Sequence, residues 1–534
     1  MRSPAARTFS AWIIAVWLVG SIATPLSALE LPEVFSDHLV LQRGKSVAVW
    51  GTAKPGEKVS VAFAGRETVG RTEPDGRWLV WLDPLAANAS GADLTVSGSS
   101  GARRVLRDVV VGEVWLAGGQ SNMQASFFNL QHDNSPEASP LPESCDYPGI
   151  RFFTVPTRTN PVPADPTLAW KPATSATVLH FSAVAFYFAR DLHRRLGVPV
   201  GILSCSWGGT YAESWMPPGP LLDDPLLAPI LQRYASAVAQ WSVPGAYDEA
   251  VRDYRTRYAA WHRDLEAWRR RTPGAARPGL SPEEPVGNRY YRRPCGLYES
   301  MLSPLAPFGL AGFIFYQGEA NASDGRGWQY RFLLEKLVAA WRADFRQGPL
   351  PFLYVQLPPL ATRESWCDLR DSQLAALRRI PNAGMAVIAD DTSNRLHPPD
   401  KRPAAERLAR WARGLVYGER DLTPCGPLYR SAHLENDALV IEFDHTAAGL
   451  ELRPAAPGAA PAFEVCGEDR VFHPARAEIG SDGRLRLSSQ TVPEPVSARY
   501  AWGNTFTAGL FNTEQLPAAP FRTDDFALQT QDAR

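Results

Sequence analysis

A chain of 534 residues with 45% hydrophobic and 21% charged residues holds enough apolar text for two or three cores. A formal net charge of −1 leaves no electrostatic footprint for nucleic acid or an anionic membrane surface, and basic clusters such as Arg269-Arg270-Arg271 read as a solvated helix face. The 17 Trp suit carbohydrate stacking and ordinary packing equally.

Arg2 and Arg7 precede the apolar run Ala11 to Gly20, and small residues follow up to Ala28. This pattern predicts a signal peptide over residues 1–28, cleaved after Ala28; the alternative is a retained single anchor. The expected location is therefore secreted or periplasmic, with no membrane association after cleavage, since no other segment has the length to span a bilayer. Export opens disulfides to Cys145, Cys205, Cys295, Cys367, Cys425 and Cys466. Their spacings contain no C-x-x-C, which argues against a zinc ribbon or a redox motif. Cys205, inside a strand, reads as a free core thiol. Oligomeric state is not legible.

Residues 29–107 are short β-like stretches such as Ser46 to Trp50 and Lys58 to Phe63, separated by turns, and predict an N-terminal β domain. From 108 to 420 apolar strands alternate with helices, the pattern of an α/β, doubly wound parallel sheet. Its first strand, Val109 to Ala117, ends in Gly118-Gly119-Gln120-Ser121-Asn122-Met123. Val198 to Trp207 ends in Gly208-Gly209-Thr210, and Phe313 to Tyr316 ends in Gln317-Gly318-Glu319-Ala320-Asn321. Met385 to Ala389 leads through Asp390, Asp391 and Asn394 to His397-Pro398-Pro399. Between the second and third of these, Tyr247, Val251, Tyr254, Tyr258, Trp261, Leu265 and Trp268 alternate four and three apart. That seam predicts an inserted helical hairpin over about 226–271, its two helices packed on each other and walling the site. Residues 421–534 return to β-like text and predict a C-terminal β domain.

A Ser, a Gly-Gly, a Gln and a His just beyond strand ends make an inventory for acyl transfer, placed where open α/β sheets bind ligands. Ser121 is the expected nucleophile. His397 is the expected base, set in a post-strand loop whose backbone Pro398 and Pro399 restrict. Oxyanion donors are expected from the backbone N–H of Ser121, that of Gly209 (or Gly208), and the amide of Gln317. No His and carboxylate spacing suits a metal, and Gly119-Gln120-Ser121-Asn122-Met123 lacks the second Gly of a lipase-type elbow.

The Ser, Gly-Gly, Gln and Leu396-His397-Pro398-Pro399-Asp400-Lys401 blocks resemble the sialate O-acetylesterase family. Phe35 to Gln42 and Pro520 to Asp524 extend the resemblance to nearly the whole mature chain. It implies an SGNH-hydrolase-type catalytic domain, C-terminal strands forming a second β-domain, and Gln317 in the place where SGNH hydrolases often hold an Asn; a buried structural amide is the alternative for Gln317. It also implies an acetylated carbohydrate as substrate, sialate 9-O-acetyl esters first, with acetylxylan or another polysaccharide ester as the alternative, and no cofactor. Gln120, Asn122, Glu319 and Asn321 of the blocks are expected to bind substrate. The roles of Arg370 and Gln373 stay open.

The acid of the triad departs from pattern. SGNH enzymes place an Asp three residues before the His, where this chain has Asn394. Asp391 is the favoured orienter, with Asp390, a neutral Asn394, or a bare Ser-His dyad as alternatives. A catalytically weakened carbohydrate-binding protein is the reading from another class.

Overall fold

The centre of the fold is built on one long strand. Arg103–Gly119 changes from an alternating pattern to a continuous apolar run, so its first half has one wet face and its second half is buried on both. In the computed structural model, which describes residues 29–132, 138–142, 144–163, 165–270, 276, 278–454 and 462–531, the two halves join different layers. The expected leader, residues 1–28, lies outside the described residues. Among the described residues no helix is long and apolar enough to cross a membrane.

The strands up to this point are β1 (Val40–Gln42), β2 (Val47–Thr52), β3 (Lys58–Phe63), β4 (Arg66–Arg71), β5 (Arg77–Leu82), β6 (Asn88–Gly98) and β7 (Arg103–Gly119). The first half of β7 pairs antiparallel with β6, which continues through β3 to β4, while β2 and β5 pair separately. The position between 107 and 108 therefore falls inside one continuous strand.

The second half of β7 lies in the central sheet with β8 (Tyr147–Thr154), β9 (Lys171–Ala173), β10 (Val200–Ser206), β11 (Gly312–Tyr316), β12 (Phe352–Gln356) and β13 (Ala383–Val387). The order is β13-β12-β11-β7-β10-β8-β9, parallel throughout except for β9 at the edge. The chain fills one side of β7 first, with β8, β9 and β10, and then the other, with β11, β12 and β13, so the C-terminal end of β7 is a topological switch point. On one face Trp115 meets Phe188 of α1 (Ala183–Leu196), ring centroids 5.0 Å apart. Residues 313 and 315 meet Trp341 of a helix over Tyr330–Phe345 on the other.

The aromatic seam between β10 and β11 is helical, on α2 (Ala228–Ala239) and α3 (Ala246–Arg269), broken at Gly245. Its partner differs from the expectation that the two helices cover each other. Trp241 and Trp261 donate their indole N–H to the carbonyls of Val286 and Gly279, and Tyr234 donates its hydroxyl to Gly287. The seam is seated on the returning loop because Trp and Tyr carry donors that a loop backbone satisfies and an aliphatic helix face does not.

Downstream strands form antiparallel sheets, one from Leu428–Glu435, Ala438–Asp444, Leu485–Ser488 and Arg476–Ile479. Buried Arg370 ties them to the central layer by donating to the carbonyls of Gly503 and Asn504, which gives that residue a structural place. Gln373 does the same inside the layer, accepting from the Leu357 N–H and donating to Val355 O. All six cysteines are free thiols, Cys205 buried within β10.

Candidate active site

Three strand ends set the site. Ser206 of β10, Gly119 of β7 and Tyr316 of β11 are in register, so the segments that leave these strands emerge side by side. Gly119 has φ of +132°, and a Cβ there would sit 2.2 Å from the Tyr316 carbonyl oxygen, so only glycine lets the backbone pass. Gln120 N–H then donates to that oxygen at 3.0 Å, and Ser121 opens a short helix over Ser121–Gln124.

His397 Nε2 lies 2.8 Å from Ser121 Oγ, although the two are 276 residues apart in the chain. The imidazole is exposed, while Pro398 and Pro399 behind it are buried. Ser139 clamps the loop: its N–H donates to Pro399 O at 3.0 Å, its hydroxyl donates to Asp400 Oδ1 at 2.8 Å and accepts from Lys401 N–H at 2.7 Å. Asn122 donates to Leu396 O at 3.0 Å, so the residue after Ser121 holds the residue before His397.

Each acid or amide considered for the imidazole also has another partner. Asp390 faces Arg407 through two hydrogen bonds of 2.6 and 2.7 Å. Asn394 accepts from Ala361 N–H at 2.6 Å. Asp391, the favoured orienter, accepts from Ser393 Oγ at 2.7 Å. Burial and the neighbouring Asp390 push the Asp391 carboxyl above the usual range.

Gln317 also departs from expectation. Its Nε2 faces three acceptors, Asn321 Oδ1 at 2.7 Å, Thr210 O at 3.1 Å and Gln120 Oε1 at 3.2 Å, and its Oε1 accepts from Tyr330 at 2.8 Å. An amide has two N–H bonds, so none is spare for an oxyanion; Gln317 is a buried structural amide. Gly208 N–H donates to Gln124 Oε1 at 2.8 Å. The backbone N–H groups of Ser121 and Gly209 make no hydrogen bond among the described residues. Replacing Gln317 by Met should therefore lower the urea midpoint while kcat of the folded enzyme falls less than about tenfold. An oxyanion donor would cost about 10²–10³ in kcat with little change in stability.

The four expected substrate binders are under 5% exposed and hydrogen-bonded within the fold. Asn321 donates to Glu213 at 2.9 Å and accepts from Ala212 N–H at 3.0 Å, and Gln120 accepts from Ala320 N–H at 3.3 Å. Asn122 donates to Glu319 Oε1 at 2.6 Å and accepts from Lys401 Nζ at 2.6 Å. Burial raises the Glu319 carboxyl above its ordinary range, with Asn122 and Lys401 drawing it partly back. These residues are the floor beneath Ser121 and His397. Sequence reasoning missed Lys401 and Ser139. Lys401 stood at the end of the Leu396 to Lys401 block with no role assigned, while Ser139 carries no pattern at all.

Residues 286–401 match the family model described as carbohydrate esterase, sialic acid-specific acetylesterase. Sialate O-acetylesterase of Mus musculus is 29% identical over 91% of this chain and 92% of its own length. That of Rattus norvegicus is 30% identical over 76% of this chain and 78% of its own. The chain belongs to the sialate O-acetylesterase family. Like its relatives it is a carboxylic ester hydrolase of the carbohydrate esterase kind. A carbohydrate acetylesterase of known structure from Xanthomonas citri is 31% identical and covers 93% of this chain and 100% of its own, with a TM-score of 0.72. The sialate O-acetylesterase match over 286–401 contains His397, Gln317 and Glu319, while Ser121 lies upstream of it.

Proposed function

We propose that this chain is an exported serine esterase that removes O-acetyl groups from carbohydrate, sialate 9-O-acetyl esters first, through an acetyl-Ser121 intermediate. The observation that carries the reading is the 2.8 Å contact between Ser121 Oγ and His397 Nε2 at the switch point of the parallel sheet. In this mechanism His397 takes the hydroxyl proton as Oγ attacks the acetyl carbonyl carbon. The tetrahedral oxyanion is received by the Ser121 and Gly209 N–H groups. Its collapse expels the sugar oxygen, which takes the proton back from His397, and water then cleaves the acetyl-enzyme by the same route. The central domain is of the SGNH type with a β domain on either side, and export rests on the leader text of residues 1–28. The broader match to a carbohydrate acetylesterase supports a second reading, an acetylated polysaccharide as substrate.

A fluorophosphonate probe should label one residue, Ser121, and labelling should remove acetate release from 9-O-acetylated sialic acid. Labelling elsewhere, or full activity after labelling, refutes the mechanism. Faster release from acetylxylan under the same conditions selects the second substrate.

A further inference from the structure

Beside the Ser-His pair stands a cation that the proposed reaction does not use. Gly208 lies against Ser121: a Cβ on it would be 3.3 Å from Ser121 Cβ. A Cβ on the next residue, Gly209, would meet Arg292 Nη2 at 3.0 Å and the Tyr291 hydroxyl at 3.3 Å. With neighbouring Cα atoms about 3.8 Å apart, the guanidinium lies on the order of 10 Å from the nucleophile. It is half-buried, and its orientation is set by Nε donating to the Tyr291 hydroxyl at 2.7 Å. Tyr211 and Tyr291 flank it, with guanidinium carbon to ring centroid distances of 5.8 and 5.1 Å. Tyr291 in turn packs on Trp207, ring centroids 5.2 Å apart.

Arg292 makes no ion pair among the described residues, and its Nη groups donate to none of them. The acid in its field is Glu284, whose own carboxyl burial holds above the ordinary range. The surroundings are otherwise phenols and arginine, with Arg255 also facing Glu284. This half-desolvated guanidinium feels Glu284 but is not hydrogen-bonded to it, so its Nη donors are left for an incoming anion. Its planar fork of donors is matched to a carboxylate, which it binds through two parallel N–H···O bonds.

We propose that Arg292, held by Tyr291 over Gly209, is a substrate-carboxylate subsite that selects O-acetylated sugars bearing a carboxylate over neutral ones. The inference rests on Ser121 being the nucleophile of an acetylesterase, and it deepens that reading by naming the residue that reads the sugar's carboxylate. The placement has a source in the fold. Trp241, Trp261 and Tyr234 of the helical insertion fix the loop 279–287, which delivers Tyr290, Tyr291 and Arg292 to the rim of the site. The Ser214 hydroxyl, donating to Arg292 O at 2.9 Å, fixes the backbone there.

The test compares 9-O-acetylated sialic acid with its carboxyl methyl ester, whose acid is neutral, on the full chain and on Arg292→Gln and Arg292→Lys. The unsubstituted enzyme should favour the acid about ten- to hundredfold in kcat/KM, the range for a hydrogen bond to a charged group. Arg292→Gln should bring the ratio near one, chiefly through KM, and Arg292→Lys should keep part of it. A ratio near one in the unsubstituted enzyme overturns the proposal. So does an equal loss on both substrates, which would make Arg292 a general or oxyanion-stabilising residue. Calorimetry of free N-acetylneuraminate on Ser121→Ala, with and without Arg292→Gln, reads the subsite without turnover: binding lost with Arg292→Gln supports it, and unchanged binding overturns it. Hydrolysis of 4-nitrophenyl acetate that disappears in Ser121→Ala checks the esterase reading separately. Its absence would fail that reading, whereas its presence with an unselective Arg292 fails only the subsite.

Discussion

Ser121→Ala is expected to lower kcat for acetate release by roughly four to six orders of magnitude, and His397→Ala to do nearly the same. The hydroxyl is 2.8 Å from the one nitrogen placed to take its proton, so either loss removes the same chemical event. The double variant should be no slower than the worse single one, because the two residues act as a unit. What survives should be the contribution of the Ser121 and Gly209 N–H groups and of substrate binding, since those donors belong to the backbone. Both variants should keep the melting temperature of the parent, because Ser121 is half-buried and His397 exposed. Acetate release followed to completion at high enzyme concentration measures the residual rate. Equal activity in Ser121→Ala, or strictly additive losses, would remove the pair from the mechanism.

The second large effect is on Asn122. Its amide joins Lys401 Nζ, Glu319 Oε1 and Leu396 O, all at hydrogen-bond distance. Asn122 is 0% exposed and Lys401 1%, so no water can enter cheaply to replace the amide. Asn122→Leu keeps the volume but takes the acceptor from a buried ammonium and the donor from a buried carboxyl, whose Oε2 already lacks a hydrogen bond among the described residues. A cost of about 3–5 kcal/mol in a denaturant titration is expected, the range for breaking a buried charged contact. Losing the bond to Leu396 also frees the chain just ahead of the imidazole. A fall in kcat of about 10–100-fold with KM little changed should accompany the destabilisation. To separate positioning from unfolding, the substitution is repeated on His397→Ala. If Asn122 acts through His397, the kcat penalty vanishes there while the stability penalty stays. An unchanged kcat in a stable Asn122→Leu protein would show that the floor does not place the base.

Much of this site could be read before any contact was known. Ser121, Gly209 and His397 each come after an apolar run that ends in glycine or proline, and a buried strand forces such residues to the sheet's edge. Periodicity of the same kind marked the helices at 228–239 and 246–269. The seam did not say what covers it, because a stripe of Trp and Tyr fits a helix or a loop; the choice of the 279–287 loop came from carbonyls matching indole and phenol donors.

Gln317 and Asp391 mark where sequence reasoning stopped. Both are of the right residue type and close in sequence or pattern to the chemistry. Their side chains also bond residues outside the Ser-His pair, one with Asn321, Thr210 and Gln120, the other with Ser393. Hydrogen-bonding capacity is finite, and which partner claims it depends on residues brought together across the fold. By itself the chain determined the strand ends, and with them the positions of the proposed nucleophile, base and two backbone donors, because local hydrophobic period and turn chemistry are written residue by residue. Only the tertiary structure decided that Asn122, Glu319 and Lys401 form a buried floor and that Arg292 stands over Gly209, because those contacts join residues 80 to 280 positions apart, roughly, where no local periodicity reaches.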